Sequence, residues 1–365
     1  MFLYKQIFED LKTKILLENF SYGDLLPAER KLEEEYGVDR TTIRKAIQLL
    51  VQEGLISKQA GKGSQVIYSP QKSEKVDASK QSDRNIIIFI LPESDVDKRI
   101  TIPFYSELFQ SLEIECKNNN FFLIYATLHK DDTLSATFAH IISKIAGIIF
   151  VSDINEKHIV EFQSMHIPSV LVNGYSPLLP SILSDNFAGT YRACLYVLEQ
   201  GHKKIAVLNG CSSHITALER LRGVKTVLKE HNLKLQENYI IGGDSWEYDK
   251  AYNHVLHFLE SSKELPSAII AFNDRLAVGA ISAIHQSGLK VPDDISVIGF
   301  DNSDQAKISY PALTSIDVDI SSLANVTFST LFSQIYFKQT ACFQILMPVT
   351  LVERDSVKKI QREKK

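Results

Sequence analysis

A short cluster of positively charged and hydroxyl side chains carries the clearest chemistry in the sequence. It comprises Arg40, Thr41, Thr42, Arg44 and Lys45. Arg40 and Arg44 are four residues apart, so on a helix they share one face. An arginine can bind a guanine edge with two parallel hydrogen bonds, and a threonine can reach a phosphate or a thymine methyl. The cluster therefore predicts the N-terminal end of a helix that enters a DNA groove.

Neighbouring residues extend this chemistry. Arg30 precedes the cluster and could hold the DNA backbone, and Gly61-Lys62-Gly63 predicts a positive turn that approaches a minor groove or a phosphate. The other face of the same helix carries Ile43 and Ile47, which can pack against a core. The alternative is a solvated charged helix beside an ordinary hairpin, since runs of charge usually mark a wet surface.

The elements that must position these residues are three helices and a hairpin. The first helix lies near the N-terminus, and the others are expected at 28–36 and 40–53. Gly37 suits the end of the second helix, and Asp39 can cap the third. Residues 55–59 and 64–68 predict two strands joined by the glycine turn. Residues 1–68 are therefore expected to form a winged helix-turn-helix domain.

Residues 69–84 differ in composition from the rest of the chain. The segment is rich in Ser and Lys, and Val76 is its one branched aliphatic residue. Such a segment cannot bury enough apolar surface to order itself. It predicts a flexible linker, and nothing in it indicates a helix.

The remaining chain, 85–355, alternates between apolar runs and helical patterns, and 356–365 is expected to be a tail. The apolar runs predict buried parallel strands at 86–91, 121–126, 146–151, 169–172, 205–208, 268–271 and 295–299. Helical segments between most of them indicate an α/β fold with doubly wound parallel sheets, and the length suits two lobes. Ligands of such sheets bind at the carboxyl ends of the strands and in the cleft between lobes.

Composition and charge exclude several classes of protein. The 365 residues carry a net charge of −4, which argues against a wholly basic nucleic-acid binder. Four widely spaced cysteines suggest neither a zinc ribbon nor a disulfide scaffold, and no metal or cofactor is expected. The N-terminus does not resemble a signal peptide, and the apolar runs are far shorter than the roughly 20 residues that span a bilayer. A cytoplasmic protein is expected.

Residue identities in 1–68 closely resemble the GntR family of bacterial transcription regulators. The matching strings are Gly23-x-x-Leu26-Pro27-Ala28-Glu29-Arg30-x-Leu32, Tyr36-Gly37-Val38-x-Arg40-Thr41-Thr42-Ile43-Arg44-x-Ala46, Glu53-Gly54-Leu55-Ile56 and Gly61-Lys62-Gly63. The resemblance implies that Arg30, Arg40, Thr41, Thr42 and Arg44 touch DNA, with Gly61 at the wing. Asp39 departs from the pattern, because Ser or Thr is usual there, and its charge adds repulsion near phosphate.

The body resembles the LacI/GalR family, whose effector domain has the fold of periplasmic sugar-binding proteins. Strings that match in order and spacing include Pro103-Phe104-Tyr105, Ser184-Asp185-Asn186, Gly201-His202-Lys203-Lys204, Glu219-Arg220-x-x-Gly223, Phe272-Asn273-Asp274 and Val297-Ile298-Gly299-Phe300-Asp301. The resemblance implies a sugar bound between two lobes. LacI relatives use a hinge helix before this domain, and 69–84 offers no such helix, so looser coupling is expected.

A sugar site needs carboxylates and amides for the hydroxyls, an arginine and an aromatic plate. The predicted strand ends supply this set: Phe104, Tyr105, Ser152, Asn173, Arg220, Trp246, Asn273, Asp274 and Asp301. Arg220, Asn273 and Asp301 carry over best from the family, because their local strings match. Three of these residues could instead be structural: Asp274 could cap the following helix, Trp246 could be a core residue, and Ser152 suits either role.

Together these observations predict a sequence-specific DNA-binding repressor of carbohydrate catabolism genes, controlled by a small sugar. The combination resembles arabinose repressors of the AraR type, which makes L-arabinose the expected sugar. A homodimer would place two heads on the half-sites of a pseudo-palindromic operator. The alternatives are a sugar-binding receptor and a sugar-acting enzyme, although the sequence shows no nucleophile elbow or catalytic carboxylate pair.

Overall fold

The computed structural model describes residues 3–16, 20, 24–52, 55–59, 63–66, 84–92, 100, 102–337 and 341–360. The chain divides into two compact units, Met1–Ser82 and Asp83–Lys365. Most of the expected linker, 69–83, lies outside the described residues, as do Gly61, Lys62 and the end of the expected tail, 361–365.

The first unit contains the expected helices and hairpin. Its elements are α1 (Leu3–Leu16), α2 (Glu29–Tyr36), α3 (Arg40–Gln52), β1 (Ile56–Gln59) and β2 (Gly63–Val66). Gly37 ends α2 in the left-handed conformation, with φ of 63°, as its lack of a Cβ allows. The core is built by one apolar face of each helix, with Leu11, Ile15, Leu32, Ile43 and Leu50 almost completely buried.

The hairpin gains a third segment that the sequence did not predict. β1 and β2 are antiparallel, with Ile56 opposite Val66. The chain just before α2 runs beside β2, where Leu26 N donates to Ser64 O at 2.9 Å and Val66 N donates to Asp24 O at 2.8 Å. These bonds hold β2 of the hairpin against the segment that leads into α2.

The first lobe of the second unit is built on a parallel sheet. Within the described residues its strand order is β13-β7-β6-β5-β3-β4. The strands are β3 (Ile86–Pro92), β4 (Phe122–Leu128), β5 (Ile145–Val151), β6 (Ser169–Val172), β7 (Ser181–Ser184) and β13 (Gln344–Met347). Helices α4 (Pro103–Asn118) and α12 (Ile320–Phe337) pack together, and α5 (Leu134–Thr137) contacts α6 (Glu156–Ser164).

The second lobe repeats this plan with one antiparallel edge strand. Its described strand order is β14-β12-β11-β10-β8-β9. The strands are β8 (Ile205–Asn209), β9 (Ile240–Gly242), β10 (Ala268–Ala271), β11 (Ser296–Asp301), β12 (Thr314–Val318) and β14 (Val349–Val352). The helices are α7 (Asn186–Glu199), α8 (Ile215–Glu230), α9 (Tyr248–Ser261), α10 (Asp274–Gln286) and α11 (Asp304–Ile308). The predicted pair of doubly wound sheets is confirmed.

The chain passes between the lobes after β7, after β12 and after β13. The second lobe therefore begins with α7, and the first lobe is completed by α12 and β13 near the end of the chain. Central strands such as β5 and β8 are buried along their whole length, as expected for strands covered on both faces. This arrangement brings loops at the carboxyl ends of both sheets to one cleft.

Candidate functional site

The N-terminal end of α3 is organised by Asp39. Its Oδ1 accepts a hydrogen bond from Thr42 N at 3.0 Å, and its Oδ2 accepts one from Thr42 Oγ1 at 2.9 Å. These bonds from the Thr42 hydroxyl and amide lower the pKa of the Asp39 carboxyl. The unusual residue therefore caps the helix as Ser or Thr would.

The predicted DNA contact of Thr42 stays a prediction. In the structure its hydroxyl donates to Asp39 Oδ2. A phosphate contact through this hydroxyl would replace that bond and leave the backbone bond from Thr42 N to Asp39 Oδ1 in place. Arg30, Arg40, Thr41, Arg44 and Lys45 are exposed, so their side chains are available at the surface of the first unit.

One carboxylate holds both arginines of the cluster. Arg40 Nε lies 3.0 Å from Glu29 Oε2, and Arg44 Nε lies 2.9 Å from the same oxygen. Glu29 stands on α2, so this pairing aligns the two guanidinium groups along the exposed face of α3. Lys45 instead lies over the ring of Tyr4, 5.9 Å from its centroid. Gly63 begins β2, while Gly61 and Lys62 are outside the described residues.

In the second unit a cavity that is partly open to solvent lies between the lobes. It is lined by Ile102, Phe104, Tyr105 and Asn173 from the first lobe and by His214, Thr216, Arg220, Trp246, Asn273 and Asp301 from the second. The structure thus brings together most of the predicted effector set. Ile102, His214 and Thr216 were not predicted.

Arg220 is the best-anchored side chain of the cavity. Its Nε donates to Asn186 Oδ1 at 2.7 Å, and its Nη1 donates to the carbonyl of Phe272. The guanidinium carbon lies 3.6 Å from the centroid of the Phe300 ring. Its Nη2 lies 3.7 Å from Asp301 Oδ1. The arginine is therefore fixed in position and presents one edge toward Asp301.

Burial dominates the electrostatics of this pair. It lowers the pKa of the Arg220 guanidinium, although Asp301 opposes the shift. It raises the pKa of the Asp301 carboxyl, against the attraction of Arg220. Asp301 also has a strained backbone, with φ of 105°. A carboxyl and a guanidinium that share a desolvated cleft suit the recognition of polar groups on a small ligand.

The sequence left open whether Asp274 contacts the ligand or caps α10, and the structure gives the cap to its neighbour Asn273. Asn273 lines the cavity and also caps α10, where its Oδ1 accepts from Leu276 N at 2.7 Å. Asp274 is not a lining residue: its carboxylate lies beneath the cleft and accepts from Ser303 N at 2.7 Å and from Ser315 Oγ. Burial raises the pKa of Asp274 to about 6, despite these hydrogen bonds. The cap therefore belongs to Asn273 and not to Asp274.

Ser152 and Asn173 both end strands of the first lobe with left-handed backbones, at φ of 63° and 55°. Asn173 lines the cavity, whereas Ser152 does not. Ser152 is buried, and its hydroxyl lies 3.3 Å from Asp153 Oδ2. Its neighbour Asp153 approaches the cleft instead, because Oδ2 lies 3.0 Å from His214 Nδ1 of the opposite lobe. Strain of this kind clusters at ligand sites.

Trp246 forms one wall of the cavity and also packs, half-buried, against the hydrophobic core. Its Nε1 donates to His214 Nδ1 at 3.1 Å, and its ring lies 5.6 Å from the Arg220 guanidinium carbon. Within the described residues there is no group of three or more His, Cys, Asp or Glu side chains that could hold a metal. The described helices also include none long and apolar enough to cross a membrane.

Comparison with known families agrees with this division of the chain. Residues 3–66 match the model for bacterial regulatory proteins of the gntR family. Residues 195–357 match the periplasmic binding protein-like domain, which here covers most of the second lobe together with α12 and β13.

Relatives of known role are transcriptional regulators, as the sequence predicts, and not enzymes. The HTH-type transcriptional repressor PurR of Photorhabdus laumondii is 32% identical over 262 residues, which are 70% of this chain and 76% of the repressor. The HTH-type transcriptional regulator DegA of Bacillus subtilis is 30% identical over 311 residues, which are 80% of this chain and 86% of DegA.

Solved structures confirm the fold. A LacI-family regulator from Enterococcus faecium with bound ribose aligns with a TM-score of 0.67 at 23% identity, covering 76% of this chain and 100% of that one. A lac repressor dimer bound to operator aligns with a TM-score of 0.65 at 22% identity, covering 80% and 99%. The chain therefore belongs to the family of bacterial helix-turn-helix regulators that includes PurR and DegA, and it joins a GntR-type head to a LacI-type effector domain.

Proposed function

We propose that this regulator represses carbohydrate catabolism genes in the cytoplasm and that a small sugar bound in the cleft modulates its hold on a pseudo-palindromic operator. The observation that best supports a sugar ligand is the composition of the cleft, where aromatic rings, amides, Arg220 and Asp301 from both lobes lie together. This set matches a ligand with an apolar ring face and several hydroxyls. L-arabinose is the sugar we propose, on the resemblance to AraR-type repressors.

Both lobes contribute to the cleft, so a bound sugar would favour the arrangement in which they approach each other. The shift in DNA affinity cannot exceed the differential affinity of the sugar for the two arrangements. A thermal-shift panel of L-arabinose, D-ribose, D-xylose, cellobiose and a purine base tests the ligand class. A sugar at a hundred times its Kd should add about 2.7 kcal/mol of stability. Stabilisation by the purine alone would contradict the proposal.

The DNA-binding surface that we propose is the N-terminal part of α3, with Arg40, Thr41, Thr42, Arg44 and Lys45, assisted by Arg30 and by Gly61-Lys62-Gly63 of the wing. Arg44→Ala should reduce affinity for an operator, selected from random duplexes, by about fivefold or more in gel shifts, since a base contact contributes about 1–3 kcal/mol. Sugar binding should be unchanged. Lys229→Ala, which removes an exposed charge from α8, is the matched control.

We further propose a homodimer that uses an apolar surface of the second unit. Phe122 on the edge strand β4 is 66% exposed, and Ile114 on α4 is 58% exposed. Tyr310, just after α11, is 90% exposed. Asp304 and Lys307 of α11 act on the pKa of Glu107, so α11 lies near the part of α4 that contains Glu107. An exposed apolar surface of this kind is typical of a protein interface.

A further inference from the structure

Three side chains from both lobes meet at one nitrogen atom of the cleft. His214 precedes α8, and Trp246 follows β9, so both belong to the second lobe. Asp153 follows β5 of the first lobe. Trp246 Nε1 lies 3.1 Å from His214 Nδ1, and Asp153 Oδ2 lies 3.0 Å from the same atom.

The two contacts to Nδ1 cannot both be hydrogen bonds at once. An indole N–H can only donate, so the bond from Trp246 requires a bare Nδ1. An ionised carboxylate can only accept, so the bond to Asp153 requires a proton on Nδ1. In a neutral imidazole whose proton is on Nε2, the ring binds Trp246. In an imidazolium, the ring binds Asp153 and the indole loses its acceptor.

We propose that His214 is a positioning residue whose protonation switches it between holding Trp246 and latching the two lobes together through Asp153. This deepens the proposed function, because the switch acts on the cleft assigned to the sugar. The imidazolium form ties the lobes and favours closure. The neutral form with its proton on Nε2 releases the first lobe and fixes the aromatic wall in place.

Asp153 is the acidic side chain that contacts the His214 ring directly. Tyr105, Arg220 and Asp301 are the other titratable groups that line the cavity. Arg220 is held by Asn186 and faces Asp301, and burial raises the pKa of the Asp301 carboxyl, so this pair also belongs to the titratable surroundings of the cleft. Cys211 lies on the same loop as His214 and accepts its backbone N–H at 3.0 Å through its carbonyl.

The fold provides a direct probe, because Trp246 is the one tryptophan of the chain. Its emission in the full-length protein without sugar should show a transition between about pH 5 and pH 8, where histidines titrate. His214→Gln should remove the largest part of the transition, because glutamine does not titrate, while any contribution from Asp274 and Asp301, whose pKa values burial raises, should remain. Asp153→Asn should change the midpoint of the transition, because the ring loses the carboxylate that it contacts across the cleft. His257→Gln, an exposed histidine on α9, is the control and should keep the wild-type curve.

An emission curve that is flat across this range in the wild type overturns the latch, as does an unchanged transition in His214→Gln. If His214→Gln does not fold, the shift in Asp153→Asn decides alone, and an unshifted midpoint overturns the proposal. No sugar is present in this experiment. A negative result in the emission titration therefore does not contradict the proposed sugar binding. A negative result in the thermal-shift panel likewise does not affect the interpretation of the titration.

Discussion

Arg220 makes contacts that no other side chain of the cleft could replace. It satisfies the oxygens of Asn186 and Phe272 and faces Asp301 in a buried setting. Arg220→Met keeps the approximate volume but leaves these acceptors unpaired. The free energy of unfolding should fall by about 3 kcal/mol, because breaking a buried pair typically costs this much. Urea denaturation measures the loss.

The same helix supplies a matched control for that substitution. Arg222 is largely exposed and pairs with Glu219 on the surface. Arg222→Met should cost less than about 1 kcal/mol, as exposed ion pairs contribute little. Adding Asp301→Asn to Arg220→Met should recover part of the loss, since it removes the carboxyl left without its cation. Equal losses in the two single variants would contradict the role assigned to Arg220.

Asp274 gives the unfolding free energy a specific dependence on pH. Its pKa is raised to about 6 by burial, above the ordinary value of 3.8. As pH rises the unfolded chain loses this proton first, so stability falls between about pH 4 and pH 6, by at most about 1.4 kcal/mol per pH unit. Asp274→Asn should be less stable overall but should lack this part of the slope in urea titrations. Parallel pH curves would show that the carboxyl ionises normally.

Residues that line the cavity could be predicted where a polar or charged side chain comes after a predicted strand and lies in a string that matches the family, as for Arg220 and Asp301. Nothing in the local sequence of Asn186 shows that the Arg220 guanidinium, 34 positions away along the chain, donates to its side chain. His214 and Thr216 stand at the start of a helix, and only the opposing lobe makes them part of a cavity. Residue types could be read from the sequence, but contacts between residues far apart in the chain could not, and these contacts decide which side chains line the cavity.

At the N-terminus of α3, Asp39 combines a useful cap with an unfavourable charge. Asp39→Ser keeps an oxygen that can accept from Thr42 and removes the negative charge near DNA phosphates. Operator affinity in gel shifts should rise about fivefold, the effect of one unit charge about 4 Å away in water. Asp39→Ala also removes the charge but loses the cap, so its thermal midpoint should fall. Lower affinity in the Ser variant would contradict the proposed orientation of α3 toward DNA.

Elements with strong periodicity or long apolar runs were predictable, and the three head helices and the central strands lie where the sequence places them. Five strands, β7, β9, β12, β13 and β14, are not among those that the apolar runs predict. Each has three to five residues, and β13 alternates between exposed and half-buried positions as an edge strand does. The pairing of β7, β12, β13 and β14 depends on the crossings between lobes, which local sequence does not encode.

Across the whole molecule, charge is distributed unevenly. Residues 1–68 carry no net charge, 69–84 carry +1 and the remainder carries −5. The positive surface for DNA must therefore be local, built from a few arginines around α3, and one neutral head offers few phosphate contacts. Affinity for an operator should then depend on two heads acting together.

Phe122→Asp tests this dependence, because it places a charge on the proposed dimer surface at a position already exposed in the single chain. The fold should survive, and sedimentation should give the mass of one chain. A complex with one head would neutralise about half as many phosphates and release about half the counterions. The slope of log affinity against log salt concentration should therefore fall by about half, and operator affinity should fall at least about a hundredfold. Leu218→Asp, at an exposed position on α8, should remain dimeric and keep the wild-type slope. A monomer with unchanged affinity and slope would show that one head suffices.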